Sequence, residues 1–245
     1  MNTATITATI TARGTITMTD ALSEGGLYRL MTWLSPGYPV GAFSYSHGLE
    51  QAVEAGTIAD AASLEAWLGD LLRFGSGRND AILFCHAHAA AARPSALAEI
   101  AALAGAFAAS SERHLETTAQ GRAFLEATVA AWPCAALDRL RDAWDGPLAY
   151  PVVVAVAAAG HGLALAPALH AYLHGFTGNL VSAGLRLIPL GQRDGQRVIA
   201  ALEAPVAAVV RAAPGTPLAD LGGAAVLADL AAMKHETQYT RLFRS

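Results

Sequence analysis

The chain has 245 residues, 53% of them hydrophobic and 15% charged, enough apolar side chain to bury a sizeable core and too little charge for disorder over its bulk. A formal charge of -4 and a pI near 6.0 leave no basic stripe for a phosphate backbone, which argues against a nucleic-acid partner. Two cysteines, Cys85 and Cys134, stand far apart without CxxC spacing, which argues against a disulfide framework or a zinc knot and fits a reducing, cytoplasmic setting.

Residues 1–21 are a leader rich in Thr and Ala, without the basic start and apolar block of a secretory signal. A disordered tail is expected there; a short edge strand is the other reading, with no partner strand nearby. From residue 22 to residue 228 the period is helical. Leu64, Trp67, Leu68, Leu71 and Leu72 mark one buried helix face, with Asp60 or Ser63 as the cap before it. Comparable stripes run through Leu97, Ile100, Ala104 and Phe107, through Leu125, Val129 and Trp132, and through Leu137, Leu140 and Trp144. Pro94, Pro133 and Pro147 fall between them, where a missing N–H does least harm. Pro205 lies inside its apolar stretch, so that segment is kinked or is two helices. VVVAV at 152–156 is the nearest approach to a strand, and its surroundings are Ala-rich. The expected fold is therefore all-α, a single helical-bundle domain of roughly ten helices, given typical helix lengths.

From Gly146 to Leu185 there is no Asp, Glu, Lys or Arg. Such a run admits two membrane-crossing helices. Its Ala and Gly content, its three histidines, Asn179 and the breaks at Pro151 and Pro167 favour instead a helix pair walled in by the rest of a soluble bundle. No membrane is expected as a partner.

The familiar catalytic signatures are missing. The one lysine, Lys234, follows Met233, so there is no P-loop, and neither GxSxG nor HExxH occurs. His170 and His174 stand four apart on a helix, a spacing that can chelate a transition metal, but no third ligand lies nearby. They define one alternative, a helical metal-binding enzyme; the uncharged run defines another, a membrane-associated helical protein. Cys85, His86 and His88 point in different directions on a helix. Glu50 and Glu54 share a helix face and are expected to be solvated. The reading assigns no catalytic residue, metal or cofactor.

Three stretches depart from the helix pattern, one of them LGQRDGQR at 190–197, read as a turn and then a helix start, an ordinary charged connection. SPGYPVGAFSYSHGLE at 35–50 breaks the chain with Pro and Gly around Tyr45, Ser46, His47 and Glu50, with a helix expected to start near Ser44. The ending from 229 to 245 mixes Tyr239, Leu242 and Phe243 with Lys234, Arg241 and Arg244, the composition of interface anchors. On the helix after the loop, Tyr45, Leu49, Ala52 and Val53 are expected to face inward, leaving Ser46, Glu50 and His47 toward a partner or the tail. Arg241 or Arg244 is a candidate for pairing with a carboxylate there.

Together with ETTAQGRA at 116–123 and NLVSAGLRLIPLGQRDGQR at 179–197, the loop GYPVGAFSYSHGLEQAVEAG and the ending MKHETQYTRLFRS resemble the UreF family of urease accessory proteins, over the chain from about Leu27 to Ser245. The resemblance implies an all-α, non-enzymatic homodimer for urease maturation. It would bridge a nickel-carrying UreG-like GTPase to a UreD/UreH-like scaffold protein for nickel insertion into apo-urease. It also implies a partner-binding surface made of Tyr45, Ser46, His47 and Glu50 on one side and of Lys234, His235, Glu236, Tyr239, Arg241, Leu242, Phe243 and Arg244 on the other, ordered together when the scaffold binds.

Overall fold

The computed structural model describes residues 23–245; the expected leader lies outside them. Among the described residues the chain is helical, with twelve α-helices, three short 3-10 turns and no strand. In order these are α1 (Glu24–Trp33), α2 (Leu49–Glu54), α3 (Ala61–Phe74), α4 (Ser76–Ala90), α5 (Pro94–Ala106), α6 (Ser111–Ala131), α7 (Ala135–Ala143), α8 (Tyr150–Gly160), α9 (Leu165–Leu187), α10 (Gln192–Ala201), α11 (Glu203–Ala212) and α12 (Val226–His235). The all-α bundle expected from periodicity is the observed fold. The segment around Pro205 is two helices that meet at Leu202, with Pro205 in the first turn of α11, where its missing N–H has no intrahelical partner to lose.

Local sequence sets the boundaries. Asp60 accepts from the Ser63 backbone N–H at 2.8 Å and Ser63 accepts in return from the Asp60 N–H at 3.1 Å, a reciprocal cap that starts α3. Leu64, Leu68, Leu71 and Leu72 then lie buried on one face, as their spacing predicts. The uncharged run is α8 and most of α9. From Pro151 to Ala158 every residue of α8 is buried, because α4, α6, α7 and α9 surround it. A helix apolar on all sides is here the centre of a bundle. The stretch long and apolar enough to span a membrane lies elsewhere, over Gln192–Gly215, and covers the broken pair α10 and α11.

The α6–α8 crossing depends on Gly121, from the ETTAQGRA segment. A Cβ there would run into the backbone carbonyl of Leu148, the residue that leads into α8. Backbone cannot step aside as a side-chain tip can, so the two elements meet this closely only over glycine. Gly121→Ala is expected to cost about 3 kcal/mol, read as a lower urea midpoint with an unchanged slope.

Candidate functional site

The loop and the tail that composition singles out meet within the one chain. The helix expected near Ser44 begins later. Ala42–Ser44 is a 3-10 turn, Tyr45 is extended, and α2 starts at Leu49. The delay comes from two successive left-handed residues, His47 at φ 62° and Gly48 at φ 77°, which turn the chain before a helix can form. Gly48 meets a second demand: a Cβ would lie 2.7 Å from the Ala232 backbone nitrogen of α12. His47 lacks glycine's freedom and is held by its ring. Nε2 lies 2.6 Å from the Ser76 hydroxyl, Nδ1 lies 3.4 Å from Glu116 Oε1, and the edge packs on Phe176 with centroids 5.3 Å apart.

Three carboxylates form the seat of the tail. Glu50, in the first turn of α2, accepts from the backbone N–H groups of Leu242 at 2.6 Å and Phe243 at 2.9 Å. Its Oε2 also lies 3.1 Å from His235 Nε2. The other face of that buried ring lies 2.6 Å from Glu112, which in turn accepts from Arg241 at 2.7 Å. The ring thus lies between two carboxylates, with Nε2 toward Glu50 and Nδ1 toward Glu112. Glu116 pairs with Arg113 and accepts from the Ser245 hydroxyl at 2.7 Å. Ser46 completes the seat, donating both from its N–H, at 2.7 Å, and from its hydroxyl to the main-chain oxygen of Ser245. Arg244 donates from its backbone to the Ser44 carbonyl at 2.8 Å, and its guanidinium lies 5.8 Å from the Tyr45 ring centroid.

Tyr45, Ser46, His47, Glu50, His235 and Phe243 are buried. Tyr45, Leu49 and Ala52 face inward as expected. Glu50 departs from the solvated face expected for it, because the tail covers it and supplies the donors its charge requires. Lys234, Glu236, Tyr239, Arg241, Leu242 and Arg244 remain on the surface. Glu236 caps the start of α6, accepting from the Ser111 N–H at 2.8 Å, and hydrogen bonding with Ser111, its side chain first and its backbone second, lowers the Glu236 pKa. Arg241 meets a carboxylate as anticipated, but the partner is Glu112 of α6 rather than a loop residue. His170 and His174 are exposed on α9, and among the described residues no three His, Cys, Asp or Glu side chains are arranged to hold a metal. His86 and His88 each face a backbone carbonyl, of Thr216 and Leu163, at 2.9 Å. Burial pushes the Cys85 thiol up to about 12, which leaves it inert.

The reading missed Glu112, Arg113, Glu116, Ser76 and Arg186. Glu112 and Glu116 stand four apart in SERHLE, on one face of α6, so the signal was present as spacing. Arg186 lies within a quoted segment but had no visible partner. Its guanidinium sits 3.7 Å from the Phe43 centroid and 4.2 Å from that of Phe243, with a hydrogen bond to the Phe43 carbonyl at 2.8 Å.

A cavity of about 320 Å³ borders the seat, lined in part by Tyr38, Asp80, Arg113, Glu116, Tyr150 and Tyr172. Burial raises the Asp80 carboxyl to about 6, against the Tyr172 hydroxyl that donates to it at 2.7 Å. Burial, together with the Arg113 charge, pushes His47 down to about 4 against the pull of Glu116. Burial also works to raise Glu116, but Arg113 and His47 outweigh it and hold that carboxyl well below the usual carboxylate range.

The signs of these shifts predict opposite pH responses. A depressed histidine contributes stability that is full above its unfolded pKa near 6.5 and is lost as pH falls toward 4. The lost contribution reaches on the order of 3 kcal/mol at the acid end. A raised carboxyl contributes stability below its unfolded pKa of 3.8 that is lost as pH rises through about 6. The stability advantage of the parent over His47→Gln should therefore shrink between pH 7 and pH 4.5, and its advantage over Asp80→Asn should grow. Urea titrations at both pH values read the two differences.

Comparison with known proteins agrees with the resemblance. The UreF family model matches residues 58–203, more than half of the chain. That span contains Glu112, Glu116 and Arg186; the loop and the tail lie on either side of it. A urease accessory protein UreF of Rhodopseudomonas palustris (strain BisB5) is 56% identical over 228 residues, covering 92% of this chain and 94% of that protein. Those of Bradyrhizobium diazoefficiens and Methylobacterium sp. (strain 4-46) are each 55% identical, over 227 and 218 residues, covering 92% and 88% of this chain and 94% and 87% of theirs. An all-helical chain whose polar loop and tail are locked together by buried carboxylates belongs, on this similarity, to the UreF family: it is a urease accessory protein and not an enzyme.

Proposed function

We propose that the chain acts in the cytoplasm as an organiser of nickel insertion into apo-urease, joining a UreG-like GTPase to a UreD/UreH-like scaffold and working as a homodimer. One observation carries the reading. The tail is fastened from below by buried groups while its outer side is left apolar. Tyr239 is fully exposed and Leu242 64% exposed, and the outer face of α12 adds Val226, Leu227, Leu230 and Met233. The helix has its small residues, Ala228, Ala231 and Ala232, inward and its large ones outward, the reverse of an ordinary surface helix. Exposed apolar side chains clustered this way mark protein contacts, and the rim supplies charges, Lys234, Arg241 and Arg244, for orientation.

On this reading the buried members of the expected surface, Ser46, His47, Glu50 and His235, act from beneath: they set the shape of the tail, and Tyr239, Leu242 and the α12 stripe make the contact. No phosphate-binding loop is needed in this chain, since the GTPase partner holds the nucleotide. The arrangement can couple partners only through differential contacts in their alternative states.

Deletion of residues 236–245 is expected to abolish capture of the scaffold, with the helical circular-dichroism signal kept, since the tail contributes no helix of its own after His235. Full capture by the truncated chain would refute the assignment. Leu230→Asp with Met233→Asp, on the exposed stripe, is expected to lower capture by at least about tenfold without moving the thermal midpoint. Size-exclusion chromatography of the co-expressed proteins reads both, and reads the dimer.

A further inference from the structure

We propose that Arg186 is the positioning residue that seats the tail, and that its stack between Phe43 and Phe243 makes loop and tail one latch. The guanidinium comes from the last turn of α9, a helix anchored in the core by Leu180, Val181, Ala183 and Gly184. Its Cζ lies over Phe43 on the loop, 3.7 Å from the ring centroid, and over Phe243 on the tail, 4.2 Å from that centroid, while Nη2 donates to the Phe43 carbonyl at 2.8 Å. A planar cation between two rings gains on both faces at once. Its environment makes the gain count, since Phe243 is 4% exposed. Phe43, by contrast, is 65% exposed, so its position is held largely by the stack.

The geometry gives Arg186 a task separate from that of the carboxylates. Glu50 fixes the tail backbone at Leu242 and Phe243, and Glu116 fixes Ser245. Neither reaches Phe43. Arg186 alone of these joins the outward side chain of the loop to the buried side chain of the tail. Whatever covers or displaces Phe43 is therefore felt at the amides of Leu242 and Phe243, two residues that a partner of the tail would meet. In that consequence the inference rests on the reading of the tail as a docking surface; the latch itself does not.

Hydrogen–deuterium exchange of the Leu242 and Phe243 amides in the isolated full-length chain tests it. Arg186→Met, which keeps the stem and removes the planar cation, is expected to speed exchange there by about tenfold, with exchange in α8 unchanged. Arg186→Lys should behave like Arg186→Met, since an ammonium cannot stack on two rings. Phe43→Ala, at an exposed position that does not endanger folding, should speed the same amides by about threefold in the parent and add nothing in the Arg186→Met background. Exchange within about twofold of the parent in Arg186→Met, full protection in Arg186→Lys, or an equal Phe43→Ala effect with and without Arg186 would each overturn the proposal. Faster exchange with unchanged scaffold capture would uphold the latch and count against the docking assignment.

Discussion

The site depends on three carboxylates that the chain cannot leave dry and unpaired. Glu50 and Glu116 are buried, at 7% and 6% exposure, and Glu112 lies beside them. An ion taken out of water costs several kcal/mol unless hydrogen bonds replace its hydration. The tail supplies those bonds: two amides for Glu50, a guanidinium for Glu112 and a hydroxyl for Glu116, with the His235 imidazole lying between the first two. The arrangement is reversible in a way an apolar seat is not. If the tail lifts as a unit, water reaches the carboxylates and rehydrates them. If a single donor is removed under a seated tail, a charge is left buried without its partner, and the cost is larger. The seat therefore resists partial disorder and tolerates complete release.

The same constraint explains why the tail follows the fold so closely. α12 packs its alanines on α2 across Gly48, where no side chain fits between the helices. That contact brings His235, in the last turn of α12, to the space between Glu50 and Glu112. From there an irregular chain of ten residues reaches Ser245, which is held from two directions by Ser46 and Glu116. Helix packing delivers one imidazole, and the imidazole sets where the rest of the chain must run. The loop is fixed by the same economy of space: His47 accepts a left-handed backbone because its ring has partners on both nitrogens, and Gly48 follows because α12 is already there.

The sequence revealed the fold and the location of the site more readily than the workings of the site. Periodicity and capping suffice for α3, and proline placement for the break at Pro205, because helices are decided by residues a few positions apart. The uncharged run resolved itself by its own composition: Ala and Gly pack closely inside a bundle, and α8 is surrounded on all sides. The loop and tail announced themselves as polar and aromatic residues where the helical period lapsed. What single-chain patterning could not provide was direction. Glu50 and Glu54 have the spacing of a wet helix face, and only the return of the tail, 192 residues later, makes one of them buried. Glu112 and Glu116 share the same ambiguity, and Arg186 shows no signal at all until two phenylalanines from distant parts of the chain close over it.

Burial of the polar members and exposure of the apolar ones belong to one arrangement. An irregular tail presented without support would lose much of its ordering entropy on each encounter with a partner. On the proposed reading part of that ordering is supplied within the chain, by groups that fasten the tail backbone at Leu242, Phe243 and Ser245. Polar groups are better suited than apolar ones to this fastening, because hydrogen bonds fix direction and register where apolar contact fixes only proximity. The outer side chains are then free to be large and apolar, since nothing inside the chain competes for them. On the proposed reading, such a surface separates the residues that determine its shape, His47, Glu50, Glu112, Glu116 and His235, from those that would touch a partner.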